Sequence, residues 1–367
     1  MSPPLSDTDR WKAWDRFLEA TPDAGFMQSS WWAEFRAGAG YDSVGITLKE
    51  HDAIVGGAMV MKRSYAPGSC FYYIPDGPVL PGDEPTAGQI YTGILEFINK
   101  RRTAEEKTVS HLRIEPRWQR LPDFVRGFQA LASPDNYAEP RDTLCVDLRQ
   151  TEEALLAQMK PKGRYNMRVA RKHGVSIVED ASDQGIADFL GIYTLTAIRQ
   201  RTEAKLPGYF QALVNKLLPR RQVSIFFAEH QGRRLATALV VYFGRRATYF
   251  FGGSLALRRH VMAPYLLHFE IMREAKARGC DWYDFWGIAP GNQPDDPWHD
   301  ITVFKRKFGG VELNLVPTLD YVYDPAAYGR YAATQSPAAA PGPMGSGWSS
   351  RRIGAPGPIH GNETMDA

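Results

Sequence analysis

One order of elements is written twice along this chain of 367 residues, and that repetition limits the fold more than any other feature. In the first half, apolar runs at 41–50, 54–63 and 69–74 read as three strands, punctuated by Gly56-Gly57 and Pro67-Gly68. A helical period at 86–100 and another strand at 109–115 follow. The second half repeats the order, with strands at 223–229, 235–243 and 247–252, a helix at 263–278 closed by Gly279, and a short strand at 282–285. The pattern predicts two mixed α/β units, and the chain is long enough for each to bury a core. Two amphipathic helices precede the first copy; their residues Trp11, Trp14, Trp31 and Trp32 read as core. Residues 151–218 read as mainly helical, with Gly174 ending a helix before a strand at 175–179.

This order is similar to acyltransferase domains of the GNAT type. The expected fold class is therefore α/β, two tandem GNAT-like units with a disordered C-terminal tail. The first unit is placed at 1–147 together with 314–331, the second at 148–313, and the tail at 332–367. The tail is rich in Ala, Pro, Gly and Ser (QSPAAAPGPMGSG) and cannot bury enough surface to offset its chain entropy.

Bulk charge narrows the partners. Lys and Arg number 44 against 41 Asp and Glu, a net +3, which does not announce a nucleic-acid binder. No DNA partner is expected, and any RNA contact has to come from local clustering. Cys70, Cys145 and Cys280 are far apart and form no CxxC pair, so neither a zinc knuckle nor a disulfide framework is indicated. The N-terminus lacks the basic start and apolar run of a secretory signal, and no stretch nears the roughly 18 apolar residues of a membrane span. The expectation is a cytoplasmic protein that meets any membrane-bound substrate from the water side. The small positive charge is consistent with transient contact with an anionic inner membrane, without requiring it.

The richest stretch is 250–310: FFGGS, then RRHVMAPYLLHFEIMREAKARGCDWYDFWGI, then FKRKFGG. It reads as a strand ending in two glycines, an amphipathic helix, a short strand and an aromatic–lysine helix. A coenzyme A donor wants a glycine-rich turn before the helix, whose N–H groups hold the pyrophosphate. Here that turn is Arg258-Arg259-His260-Val261-Met262-Ala263, with no glycine, which argues against such a donor.

These three runs resemble the C-terminal signature of the Fem-type (FemABX) peptidoglycan aminoacyltransferases. FMQSSWWAEFR (26–36) resembles that family's N-terminal motif, LRIEPR (112–117) its "IDP" strand end, and KPKGRYNMRVARKHGV (160–175) its basic helix. The matches run in the family's order over nearly the whole chain to about Asp324, without a coiled-coil arm. The resemblance implies transfer of an amino acid from aminoacyl-tRNA to the stem-peptide amine of UDP-MurNAc-pentapeptide or lipid II, with no metal and no organic cofactor. By the same resemblance Lys305, beside Phe304, falls on the lysine assigned to the aminoacyl end of the tRNA, and as the candidate catalytic residue it either supplies positive charge at the oxyanion or holds the tRNA 3′ end where the ester must lie. Arg36, Glu115, Lys205, Tyr209, Tyr249 and Phe251 fall on substrate-binding positions. The sequence departs from the family at Arg36 for Lys, Lys205 for Arg, Phe251 for Tyr and Glu115 for Asp. Charge survives, but an arginine fork and an ammonium point charge bind differently.

Arg164, Arg168 and Arg171 stand at i, i+4 and i+7, with Lys172 beside them, and are the candidate RNA-phosphate contacts. Ordinary readings stand beside these: a solvated helix face for Lys305 and for the arginines, and core packing for Tyr249 and Phe251, which alternate on one strand face. Asp295, Asp296, His299 and Asp300 read as a solvated loop rather than a metal site. Other functions compatible with the pattern are a tRNA-dependent amide synthase of natural-product assembly, a GNAT-like acetyltransferase on a cell-surface glycan, and a non-enzymatic RNA-binding module.

Overall fold

The computed structural model describes residues 7–130, 140–200, 202, 204–291, 294, 296, 298–334 and 364–366. The chain divides into two compact units, one of Met1–Arg141 with Leu315–Ala367 and the other of Asp142–Asn314.

In the first unit, α1 (Asp7–Ala20) and α2 (Ser30–Ala37) lead into β1 (Tyr41–Glu50), β2 (Ala53–Ala66) and β3 (Ser69–Pro75). Then come α3 (Glu84–Thr103), β4 (Thr108–Glu115) and the two-residue β5 (Gln129–Ala130). The motif residues that open α2 are structural. Ser29 caps the helix by accepting from the Trp32 N–H, and buried Gln28 accepts from the Met59 N–H while donating to the Pro75 carbonyl. One amide thus ties the helix entry to β2 and β3. Strands β1, β2 and β3 form an antiparallel meander, and β4 runs parallel to β3. Helix α3 covers one face through Ile90, Tyr91, Ile94 and Ile98. On the other face, Gly45 and Gly57 leave room for the rings of Trp11 and Trp14, so those tryptophans are core, as expected.

The second unit begins with β6 (Thr143–Asp147), α4 (Glu152–Gln158), α5 (Pro161–Lys172), β7 (Ser176–Glu179), α6 (Asp183–Gln200) and α7 (Pro207–Leu217). It continues through the meander β8 (Val223–His230), β9 (Arg233–Phe243) and β10 (Arg246–Ser254), then α8 (Ala263–Ala277), β11 (Trp282–Gly287), α9 (His299–Lys305) and β12 (Val311–Leu313). β11 is parallel to β10, repeating the β3–β4 relation of the first unit. Both units therefore carry the three-strand, helix, parallel-strand order of the GNAT-like reading.

The chain returns to the first unit with β13 (Leu319–Val322) and α10 (Pro325–Thr334), and a last segment, β14 (Thr364–Asp366), runs parallel to β1. Among the described residues the two sheets run β14-β1-β2-β3-β4-β13-β5 and β12-β6-β11-β10-β9-β8-β7. β13 lies beside β4 where β6 lies beside β11, so each sheet closes its parallel edge with a strand from outside its own meander. β13 is fixed to β4 by a buried pair, Arg113 to Asp320 at 2.8 Å. β6, assigned at the sequence level to the first unit, pairs with β11 and β12 instead. Its residues Leu144, Cys145 and Val146 are apolar and suit either core, so only pairing assigns it. Most of the tail expected to be disordered lies outside the described residues; α10 extends to Thr334.

Candidate active site around Lys305

Lys305 ends α9, a helix placed by two short links. The Thr302 hydroxyl accepts from the Ala289 N–H at 2.8 Å, fixing α9 against the chain leaving β11. Gly163 of α5 lets the Lys307 backbone approach where a Cβ would stand 2.5 Å from the Lys307 carbonyl oxygen. With the helix held at both places, Lys305 points inward and is only 6% exposed, so it is not the solvated lysine of the ordinary reading.

Its ammonium donates to the Gly287 carbonyl at 2.5 Å and lies 5.8 Å from the centre of the Tyr249 ring. An ammonium has three N–H donors, and among the described residues Gly287 is the hydrogen-bond acceptor found for it. Burial pulls the Lys305 pKa down to about 7, partly opposed by the negative charge of Asp284. The amine therefore changes charge close to neutrality.

The wall around it is aromatic. His268 of α8 stacks edge-on with Tyr249 at 4.5 Å and shares a hydrogen bond with the Tyr283 hydroxyl at 2.8 Å. Burial, with the Lys305 charge adding to it, drops the His268 pKa to about 3, so the ring is neutral. Phe304 packs against Tyr265, His268 and Phe308 and forms part of this wall. Asp284 is fully buried and held by three donors: the Thr143 hydroxyl, the Trp286 N–H at 2.8 Å and the Arg246 guanidinium at 3.2 Å.

The glycines of the FFGGS run have a steric role here. A Cβ on Gly252 would meet the Tyr249 ring, and one on Gly253 would stand 2.5 Å from the Thr196 hydroxyl of α6. The glycines let a ring and a helix approach the strand. The pairing register also corrects one expectation: Tyr249 and Phe251 do not share a face. Tyr249 pairs with Val240, but Phe251 pairs with the adjacent Leu239, because a bulge inserts Phe250. Tyr249 therefore faces α8, while Phe251 packs on Tyr193 of α6 and on Tyr209 and Phe210 of α7.

The sequence-selected residues thus separate into groups. Tyr249, Phe304 and Lys305 come together. Tyr209 and Phe251 meet on the opposite face of the same sheet, with the Lys205 ammonium 6.0 Å from the Tyr209 ring centre. In the first unit, the Arg36 guanidinium is buried, 4.4 Å from the Tyr41 ring and 5.8 Å from the Trp32 ring. Glu115 there accepts from the Tyr73 and Thr318 hydroxyls. On α5, Arg164 folds back to the Ala157 and Met159 carbonyls at the end of α4, and Arg171 pairs with Glu270 at 3.0 Å. Arg168, Arg171 and Lys172 are all exposed on that stripe, and Arg164 is half-buried. Among the described residues no three His, Cys, Asp or Glu side chains are grouped to hold a metal ion, and Asp295 lies outside them.

His268, Tyr283, Asp284 and Trp286 were not singled out from the sequence. All lie in the helix–strand run already quoted, but nothing in the spacing says that a histidine on α8 and an aspartate on β11 converge on one lysine.

The chain is 23% identical to the UDP-N-acetylmuramoylpentapeptide-lysine N(6)-alanyltransferase of Weissella viridescens, covering 88% of this chain and 97% of that one. It is 21% identical to a lipid II:glycine glycyltransferase of Staphylococcus saprophyticus, over 86% of this chain and 92% of that protein. The crystal structure of FemX superposes with a TM-score of 0.79 at 16% identity, over 91% of this chain and 99% of that one. The FemAB family model matches residues 11–229 and 219–336, and the chain belongs to the FemAB family.

Proposed function

We propose that the protein is an aminoacyltransferase that moves an amino acid from aminoacyl-tRNA to the side-chain amine of a peptidoglycan stem peptide, on UDP-MurNAc-pentapeptide or lipid II, building the interpeptide bridge. The observation that carries this reading is the buried Lys305 ammonium, with one hydrogen bond spent on Gly287 and N–H donors left for a ligand. Relatives named for glycyl and alanyl transfer to such precursors support the substrate class.

The chemistry asks little of the protein. An aminoacyl ester is already activated, so the acceptor amine must be unprotonated, close to the carbonyl carbon, and opposite a positive charge at the forming oxyanion. Positioning supplies roughly 7–11 kcal/mol and one oxyanion donor roughly 2.7–4 kcal/mol. Lys305, protonated, provides that donor in an aromatic enclosure where its charge is poorly screened. As the tetrahedral adduct collapses, the acyl carbon–oxygen bond breaks, and the tRNA 3′-terminal oxygen leaves as a hydroxyl carrying the proton that the attacking amine gives up.

The test is a transfer assay with purified protein, UDP-MurNAc-pentapeptide or lipid II, and tRNA charged with labelled amino acids. Label should move to the precursor and the transfer should be abolished by RNase. Acetylation of an acceptor from labelled acetyl coenzyme A, with no transfer from tRNA, would overturn the reading.

A further inference from the structure

The strand that carries Asp284 does not run straight. Between Asp284 and Gly287 the β11–β6 register shifts, and Trp286 takes a left-handed φ of 59°. A side chain other than glycine holds that conformation at a cost, and only where its surroundings impose it. The imposing contact is visible: Asp284 Oδ1 accepts from the Trp286 N–H two residues on, and also from Thr143. The next carbonyl beyond the turn is Gly287, the acceptor of Lys305. A turn that opened would take this carbonyl away from the ammonium.

We propose that Asp284 is a positioning residue for Lys305: its carboxylate holds the left-handed turn at Trp286 that aims the Gly287 carbonyl at the ammonium, and it sets a counter-charge across that turn. The inference rests on the proposed role of Lys305. Asp284 acts through the backbone and through its charge and does not touch the reacting atoms. Titratable and charged groups facing Lys305 and this turn are Tyr249 and Arg246 from β10, His268 from α8 with Tyr283 behind it, and Asp284 itself. Burial holds His268 neutral and raises the Tyr249 and Tyr283 hydroxyls, so Asp284 is the group of this set that supplies negative charge to oppose burial of the ammonium.

The experiment is an NMR titration of full-length protein labelled with 13C-lysine, with the Lys305 resonance assigned by its loss in Lys305→Met. Asp284→Asn keeps a carbonyl for the Trp286 N–H and removes the charge. It should move the Lys305 midpoint down by about one pH unit, a tenfold lower ratio of protonated to neutral amine. The pH at which the rate levels off should move down by the same amount, so the variant's deficit against wild type, up to about tenfold at pH 7.5, should close as pH is lowered. Asp284→Glu should restore most of the wild-type midpoint and serves if the Asn variant folds poorly. An unchanged midpoint in Asp284→Asn overturns the proposal. Because the titration needs no substrate, it decides the role of Asp284 even where the transfer assay overturns the proposed reaction.

Discussion

Tyr249 and Phe251 are two residues apart on one strand yet face opposite sides of the sheet, because the bulge at Phe250 advances the register by one. The first ring completes the enclosure of Lys305, and the second builds the Tyr193–Tyr209–Phe210 cluster. Substitutions at the two positions should therefore separate. Phe251→Ala is expected to destabilise the second unit by about 2 kcal/mol or more through the cavity it leaves, with the Lys305 titration unchanged. Tyr249→Ala should alter that titration. Urea unfolding and the lysine NMR signal read the two effects.

Lys305→Met should lower kcat by about 10²–10³ if the ammonium stabilises the oxyanion. A variant retaining more than about a third of wild-type activity would exclude that role. Isothermal titration should show the precursor still binding.

The pH profile follows from the same residue. The Lys305 ammonium is present below pH 7 and lost as pH rises through about 7. The acceptor amine, with an ordinary pKa of about 10.4, gains reactivity as it deprotonates, so the rate should climb below pH 7 and level off above it. Lys305→Arg, whose charge persists, should keep climbing through pH 7 whatever its absolute rate.

The basic helix divides between structure and RNA contact. Arg164 satisfies carbonyls at the end of α4 and Arg171 pairs with Glu270. Arg164→Ala should lower the melting temperature. Arg168→Ala and Lys172→Ala should each weaken tRNA binding and reduce the slope of log K against log salt by about 0.7–0.9 for each phosphate that is no longer neutralised. Filter binding at several salt concentrations distinguishes these outcomes.

Acid should destabilise both units. Burial holds His111 in the first unit and His268 in the second neutral, each with a pKa of about 3, while an unfolded histidine protonates near 6.5. Between these values the unfolded state binds more protons, so their contribution to stability is present above about pH 6.5 and lost as pH falls towards 3. Urea midpoints at pH 7 and pH 5 should show this fall. His111→Gln and His268→Gln should each flatten it, although either can lower stability at pH 7.

The amino-acid sequence by itself determined the repeated strand–helix order, the tryptophan core and the family, because these rest on local periodicity and contiguous runs such as FFGGS and FKRKFGG. It also selected Lys305, although an isolated lysine on a seven-residue helix reads equally as solvated. Tertiary structure alone decided that this lysine is buried, since the contacts that turn it inward come from α5 and from the end of β11. The same holds for β6, whose run of apolar residues fits either sheet until its partners are present. It holds for Tyr249 and Phe251, where one extra residue in a ladder reverses a face and no spacing announces the bulge. Asp284 and His268 became legible only when their elements converged, because desolvation and a shared neighbour are properties of the packed chain.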